Sequence, residues 1–233
     1  MAKTVGLSRN IKMSWMSFAA SELKNVNDIS EAKTILDGYL AAEIKSPDNL
    51  RKTKDILINI WIKGDDDIRQ GAFELVEKYP EDKNAVFWCM LLSTYPVFYD
   101  ICNTIGKMFK FQDELTLSQV KEKMFDIWGE RTTLFHSIDK IMSTMKSLEG
   151  IYALKGKYSK IERTIHNEEV TKFVAYTYLK TAEGSYITLE DINDWDAMFS
   201  FDYRITREMI ALDDRYQVTA FDGKPTIKLK TTL

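Results

Sequence analysis

Residues 131–163 read RTTLFHSIDKIMSTMKSLEGIYALKGKYSKIER, and the fold turns on how this stretch is understood. Its apolar residues Leu134, Ile138, Ile141, Met145 and Leu148 stand four, three, four and three apart. That spacing forms one stripe on a helix of about 3.6 residues per turn and predicts a helix over 132–148. Gly150 fits the position just past a helix end, where a left-handed backbone favours glycine. Two strand-like runs follow, Ile151-Tyr152-Ala153-Leu154 and Tyr158-Ser159-Lys160-Ile161, flanking Lys155-Gly156-Lys157. A glycine there suits a tight hairpin.

Working upstream, Pro96 can open a helix carrying Phe98, Ile101, Ile105 and Phe109. Thr116 or Ser118 can cap a second helix over 117–127. Three helices and a hairpin make the layout of a winged helix-turn-helix. In that layout the third helix enters the DNA major groove and the hairpin touches backbone or minor groove. Nearer the N-terminus, Ile11, Trp15 and Phe18 predict a helix within 8–25 behind a Ser8 cap. Ile35, Tyr39 and Leu40 predict another over 31–43. Ser46-Pro47 is a start signal for a helix that carries Leu50, Leu57, Ile60 and Trp61 and ends at Gly64. Further helices are expected over 67–78 and 85–93.

Downstream, Val170, Phe173, Val174, Tyr176 and Leu179 predict a helix over 168–181, with short helices near 188–193 and 203–212. A last hairpin pairs 216–220 with 226–230 across Asp222-Gly223. The order of elements recurs, with no sequence repeat evident between the halves. The expected fold is mainly α with small β-hairpins: an N-terminal helical unit followed by one or two winged helix-turn-helix modules. The expected domains are a helical unit at 1–93, a winged helix-turn-helix at 94–165, and a second, acidic winged-helix-like module at 166–233.

The chain is 45% hydrophobic and 29% charged, with a formal net charge of −3. That balance argues against coating nucleic acid along the whole surface but leaves room for a local basic patch. Cys89 and Cys102 lie in apolar surroundings and read as buried thiols in a reducing cytoplasm. Met1-Ala2-Lys3-Thr4 carries no apolar signal core, and no run approaches the ~18 apolar residues of a membrane span. The expectation is a cytoplasmic protein. His136 and His166 lack metal-ligand companions, and the cysteines lack a zinc spacing. Asp65-Asp66-Asp67 lacks the further oxygen ligands of a calcium loop and reads as helix capping. There is no phosphate-binding glycine loop and no nucleophile elbow. No cofactor, metal or catalytic residue is expected, and the chain reads as non-enzymatic.

The candidate DNA-binding residues lie opposite the apolar stripe of 132–148. They are Thr132, Thr133, His136, Lys140 and Ser143, with Arg131 just before the helix and Lys155, Lys157, Lys160 and Arg163 in and after the hairpin. Such groups reach phosphates or base edges, and a helix N-terminus favours an anion. Residues 131–163 hold seven basic and three acidic side chains, and these cations are expected to converge on one positive ridge. Asp139 on the groove face and the single nearby arginine argue against tight base-specific reading. Winged helices also dock proteins, and lysines often form only a solvated face. A second basic cluster, Lys45, Arg51, Lys52 and Lys54, reads either as a solvated face or as a second phosphate contact. Residues 183–214 carry nine acidic residues against Arg204 and Arg207. The embedded Trp195, Met198, Phe199, Phe201 and Tyr203 are either core or the anchors of a protein surface.

Several phrases carry a family resemblance: Tyr95-Pro96-Val97-Phe98, Ile105-Gly106-Lys107, Gly129-Glu130-Arg131-Thr132 and Leu148-Glu149-Gly150-Ile151. Over residues 5–165 the chain resembles the BrxA-like small winged-helix accessory proteins of bacterial anti-phage (BREX-type) defence islands. The resemblance implies a non-enzymatic protein that binds double-stranded DNA and works beside larger defence enzymes. The acidic C-terminal module is the candidate surface for such protein partners. The alternative is a docking subunit that uses its winged-helix modules only for assembly.

Overall fold

The computed structural model describes residues 5–182, 184, 186–221 and 224–230, and the fold is mainly helical with small sheets. The chain begins with a departure from its sequence pattern. Leu7 and Ile11 are four apart and fully buried, as on a helix, yet residues 5–12 are irregular. The first helix, α1 (Met13–Glu22), starts behind Lys12 with no side-chain cap, so Ser8 caps nothing. The cause is distant in sequence. The Ile11 N–H donates to Thr144 Oγ1 and the Met13 N–H to Ser147 Oγ, each at 2.9 Å.

The next helices start where short polar side chains can accept orphan N–H groups. Asp28 accepts from the Glu31 N–H and opens α2 (Ile29–Leu40). Ser46 and Pro47 open α3 (Pro47–Trp61), which stops three residues before Gly64. Asp65 accepts from the Asp67 and Ile68 N–H groups and opens α4 (Asp66–Lys78), while Asp66 pairs with Arg69. The acidic triplet is therefore a helix start. In α5 (Lys83–Thr94) every residue from Asn84 to Leu92 is buried, as a helix that is apolar all round requires.

Six elements then follow in order: α6 (Pro96–Phe109), β1 (Leu115–Thr116), α7 (Leu117–Trp128), α8 (Thr132–Ser147), β2 (Ile151–Leu154) and β3 (Lys157–Lys160). The three strands form an antiparallel sheet in the order β1-β3-β2, with Leu115 opposite Tyr158 and Ala153 opposite Tyr158 on its other side. Thr116, not Ser118, caps α7, and Gln119 answers it in a reciprocal capping box. Lys155 and Gly156 both have positive φ, 50° and 81°, which is the two-residue turn that matches strand twist. At the end of α8 the left-handed residue is Glu149 (φ 57°), not Gly150. Gly150 answers to packing instead, because a Cβ there would lie 2.5 Å from the Trp88 ring.

The C-terminal part holds β4 (Arg163–Thr164), α9 (Glu168–Thr181), β5 (Ile187–Thr188), α10 (Leu189–Asn193), β6 (Phe201–Asp202), α11 (Arg207–Ala211), β7 (Tyr216–Phe221) and β8 (Lys224–Leu229). The expected Asp222-Gly223 turn lies outside the described residues. The second antiparallel sheet runs β5-β8-β7. Helix, strand, helix, helix and hairpin thus occur twice, with β6 inserted between the last two helices of the second set, and each time the first strand lies beside the last. A sequence match accompanies them: Leu115-Thr116-Leu117-Ser118-Gln119-Val120 against Ile187-Thr188-Leu189-Glu190-Asp191-Ile192. Thr188 and Asp191 form the same capping box as Thr116 and Gln119. The two occurrences differ in their last helix. α8 has sixteen residues and α11 five.

One buried core crosses both boundaries expected from sequence, at 93 and at 165. Trp88 sits at the junction. Its Nε1–H donates to the Ala197 carbonyl at 2.9 Å, and Phe98, Phe199 and Phe201 surround its ring at 5.3, 5.7 and 5.6 Å. Trp195, Met198 and Phe201 are buried, and Phe199 and Tyr203 pack against them, so these five residues of the acidic span belong to the core. Gly106 of α6 lies so close to this segment that a Cβ would fall 1.9 Å from the Asp196 carbonyl oxygen. Both cysteines are buried, and burial pushes the Cys89 thiol up to about 12. Among the described residues no single helix is long and apolar enough to cross a membrane.

Candidate nucleic-acid interface

α8 buries Leu134, Ile138, Ile141, Met142 and Met145, and its sixteen residues extend about 24 Å. At ~100° per residue the opposite face centres on Thr132, His136 and Ser143. Thr132, Thr133, His136 and Lys140 are exposed there. Arg131 precedes the helix and supplies no capping acceptor, so no side chain caps the first-turn N–H groups, which favour an anion.

Two flanks border this face. On one side Asp139 pairs with Lys121 at 2.9 Å, and the Lys121 ammonium lies 3.4 Å from the Phe135 ring centroid. The acid that weighed against a groove face is therefore neutralised from α7. The sheet lies on this same flank, where the Asp139 charge helps to raise the Tyr158 hydroxyl above its usual range, second to burial. On the other flank a groove of about 480 Å³ separates His136 and Lys140 from Ser8, Arg9, Asn10, Asn49 and Thr53, with Trp15 and Ile44 in its walls.

The structure brings together only part of the expected ridge. Thr132, Thr133, His136 and Lys140 share one open face. Ser143 is half-buried and its hydroxyl donates to the Asp139 carbonyl at 2.9 Å. Arg131 is half-buried and folded onto Trp128, donating to its carbonyl at 3.1 Å with the guanidinium 5.8 Å from the ring centroid. Lys155 is exposed at the hairpin tip. Lys157 and Ser159 alternate with half-buried Tyr158 and so sit on the outer face of the sheet, beside exposed Tyr152 and Leu154. There Lys157 pairs with Glu114; Lys160, opposite Ile151, falls on the Tyr158 side and pairs with Glu162. Arg163 is in β4, where it pairs with Glu149 just beyond the C-terminal end of α8, far from Thr132. The single ridge expected from sequence is therefore dispersed: strand alternation turns Lys157 to the outer face, and Glu114, Glu162 and Glu149 engage Lys157, Lys160 and Arg163.

Arg9, Asn49 and Thr53 border the groove and carry no sequence signal for it. They arrive through the Ile11–Thr144 and Met13–Ser147 hydrogen bonds, which join segments 133 and 134 residues apart. Among the described residues no carboxylate pairs with Lys140 or Lys155, and no group of three or more His, Cys, Asp or Glu is placed to hold a metal ion. His166 is occupied with Asp82, whose buried carboxylate lies 3.2 Å from its Nδ1.

No family model matches the chain, and neither a curated protein nor a solved structure matches it.

Proposed function

We propose that this is a non-enzymatic, double-stranded-DNA-binding accessory protein that sets α8 into the major groove through a winged helix-turn-helix. The setting we propose is bacterial phage defence, following the resemblance of residues 5–165. The observation that carries the DNA reading is the outward face of α8. It is one long helix presenting hydroxyls, an imidazole and an ammonium, and among the described residues none caps it, pairs with that ammonium or packs over that face. The order helix, strand, helix, helix, hairpin with sheet order β1-β3-β2 supports the winged form of the module. Thr132, Thr133, His136 and Lys140 would face the groove, and Lys155 would reach a phosphate from the hairpin tip.

The test is fluorescence anisotropy of a labelled duplex titrated with full-length protein between about 50 and 200 mM salt. Each phosphate contact contributes about 0.9 to the slope of log K against log salt. Lys140→Ala with Lys155→Ala should flatten that slope by about 1.8 and weaken binding similarly across unrelated sequences. Absence of duplex binding by the wild type at ~100 µM protein and low salt would overturn the reading, since even non-specific binders reach that range.

A second reading, docking to a larger protein, is favoured by the outer face of the first sheet. Leu154 is 62% exposed and Tyr152 49%, and, two apart on β2, they adjoin on that face as a contiguous apolar spot of the kind used for protein contact. Under this reading Leu154→Glu releases a co-purifying partner and leaves duplex binding unchanged.

A further inference from the structure

We propose that Asp139, held in place by Lys121, is the base-reading residue of α8 and gives the protein a preference for cytosine in the major groove. This rests on the DNA reading above and adds what that reading lacks, a residue that tells one sequence from another.

Asp139 is the one acid in α8, and it stands on the outward face. Thr132, His136, Asp139 and Ser143 are four, three and four apart. At ~100° per residue, Asp139 lies about 40° from the centre of the face formed by the other three. It is fixed from beneath. The Lys121 ammonium of α7 lies 2.9 Å from Asp139 Oδ1 and 3.4 Å from the centroid of the Phe135 ring, one turn back along α8. Phe135 in turn stacks with Phe125 of α7 at 6.4 Å. Oδ1 is buried in this contact, while the Asp139 side chain as a whole is 37% exposed and that of Lys121 only 12%. The carboxylate is thus held on its inner side and open on its outer one.

Charge decides whether such an acid can face DNA. A bare carboxylate would repel the phosphates, but Lys121 cancels it at short range and lies too deep to serve as a phosphate contact itself. Lys121 is therefore a positioning residue. An ionised carboxylate only accepts hydrogen bonds, and the major groove offers it two donors, the N4 amino group of cytosine and the N6 amino group of adenine. Adenine sets its N7 acceptor beside N6, which suits the amide of Asn or Gln and repels a carboxylate, so cytosine is the base this side chain fits. The Thr132 and Thr133 hydroxyls both donate and accept, so they discriminate less.

The experiment selects from a random duplex library with folded full-length protein, then titrates the selected duplex and its single base-pair changes by anisotropy, with circular dichroism melts as the folding control. The wild type should select a C·G pair at one position and lose about fivefold or more in affinity when that pair is changed. Asp139→Ala should lose this discrimination at that position alone and keep the salt slope, because the carboxylate touches no phosphate. On an unrelated duplex, Lys121→Met should weaken binding severalfold by baring the carboxylate, and adding Asp139→Ala should restore it. A pair that only braced α7 against α8 would give no such rescue, and its absence would overturn the part given to Lys121. If the wild type binds duplexes without a cytosine preference, or Asp139→Ala keeps one, the proposal falls and the α8 reading stands. A wild type that binds no duplex takes both down.

Discussion

Asp82 shows how one side chain can fasten two distant segments. It is 4% exposed, yet its carboxylate accepts from the His166 N–H (3.1 Å), the Asn167 N–H (2.8 Å) and Asn167 Nδ2 (3.0 Å). Burial alone would raise its carboxyl, but these donors outweigh burial and hold it below the usual carboxylate value. The sign for stability follows. A depressed folded value means that ionised Asp82 stabilises the fold above its unfolded value of about 3.9, and the benefit is lost as pH falls through the lower folded value. Asp82→Ala should cost about 1–3 kcal/mol in a denaturant melt at neutral pH, because buried donors lose their acceptor. The same variant should lose less stability than the wild type on acidification below about pH 4. An Asp82→Ala protein as stable as the wild type at pH 7 would remove the fastening role.

At the scale of elements, the N-terminal segment is held by hydroxyls of α8. The Thr144 Oγ1 accepts from the Ile11 N–H and donates to the Lys140 carbonyl at 3.0 Å, all within the interior. Thr144→Val keeps the shape and removes the acceptor. It should cost about 1–3 kcal/mol by leaving a buried N–H unpaired and should loosen Arg9 from the groove, read as faster amide exchange at Ile11. Exchange at Ile11 unchanged from the wild type would count against that anchoring. These long-range bonds explain which elements could be read from sequence. Ser46-Pro47, the four-three-four-three stripe of α8 and the Lys155-Gly156 turn act within a few residues, and each predicted its element. Ile11 shares helical spacing with Trp15 and Phe18, but its N–H is taken by Thr144 of α8, so the expected helix begins only at Met13. The α8 face was legible because its apolar stripe defines its opposite. The dispersal of the expected cations was not, since it depends on which side of β3 Tyr158 takes and on the pairing of Lys157, Lys160 and Arg163 with Glu114, Glu162 and Glu149.

Across the whole molecule, Trp88 and the residues around it join α5, α6 and residues 197–201 in shared packing. Ser200 Oγ donates to the Gly150 carbonyl at 2.6 Å, β4 pairs in parallel with β6, and Lys110 bridges to Asp194 and Asp196 at 2.9 and 2.7 Å. Chemical unfolding should therefore be a single transition, with tryptophan fluorescence and far-ultraviolet circular dichroism giving the same midpoint. Two resolved midpoints would mean that the N-terminal unit and the modules melt separately.

The thirteen residues between α10 and α11, where the first copy has three between α7 and α8, supply most of that cement. The recurring order of elements serves as mortar in its second appearance, where a hydrogen bond, a strand pair and ion pairs tie it to the first. A tandem on a flexible tether can adjust its stride to whatever it meets. Here those ties set the stride, and a ligand engaging both occurrences would have to match it.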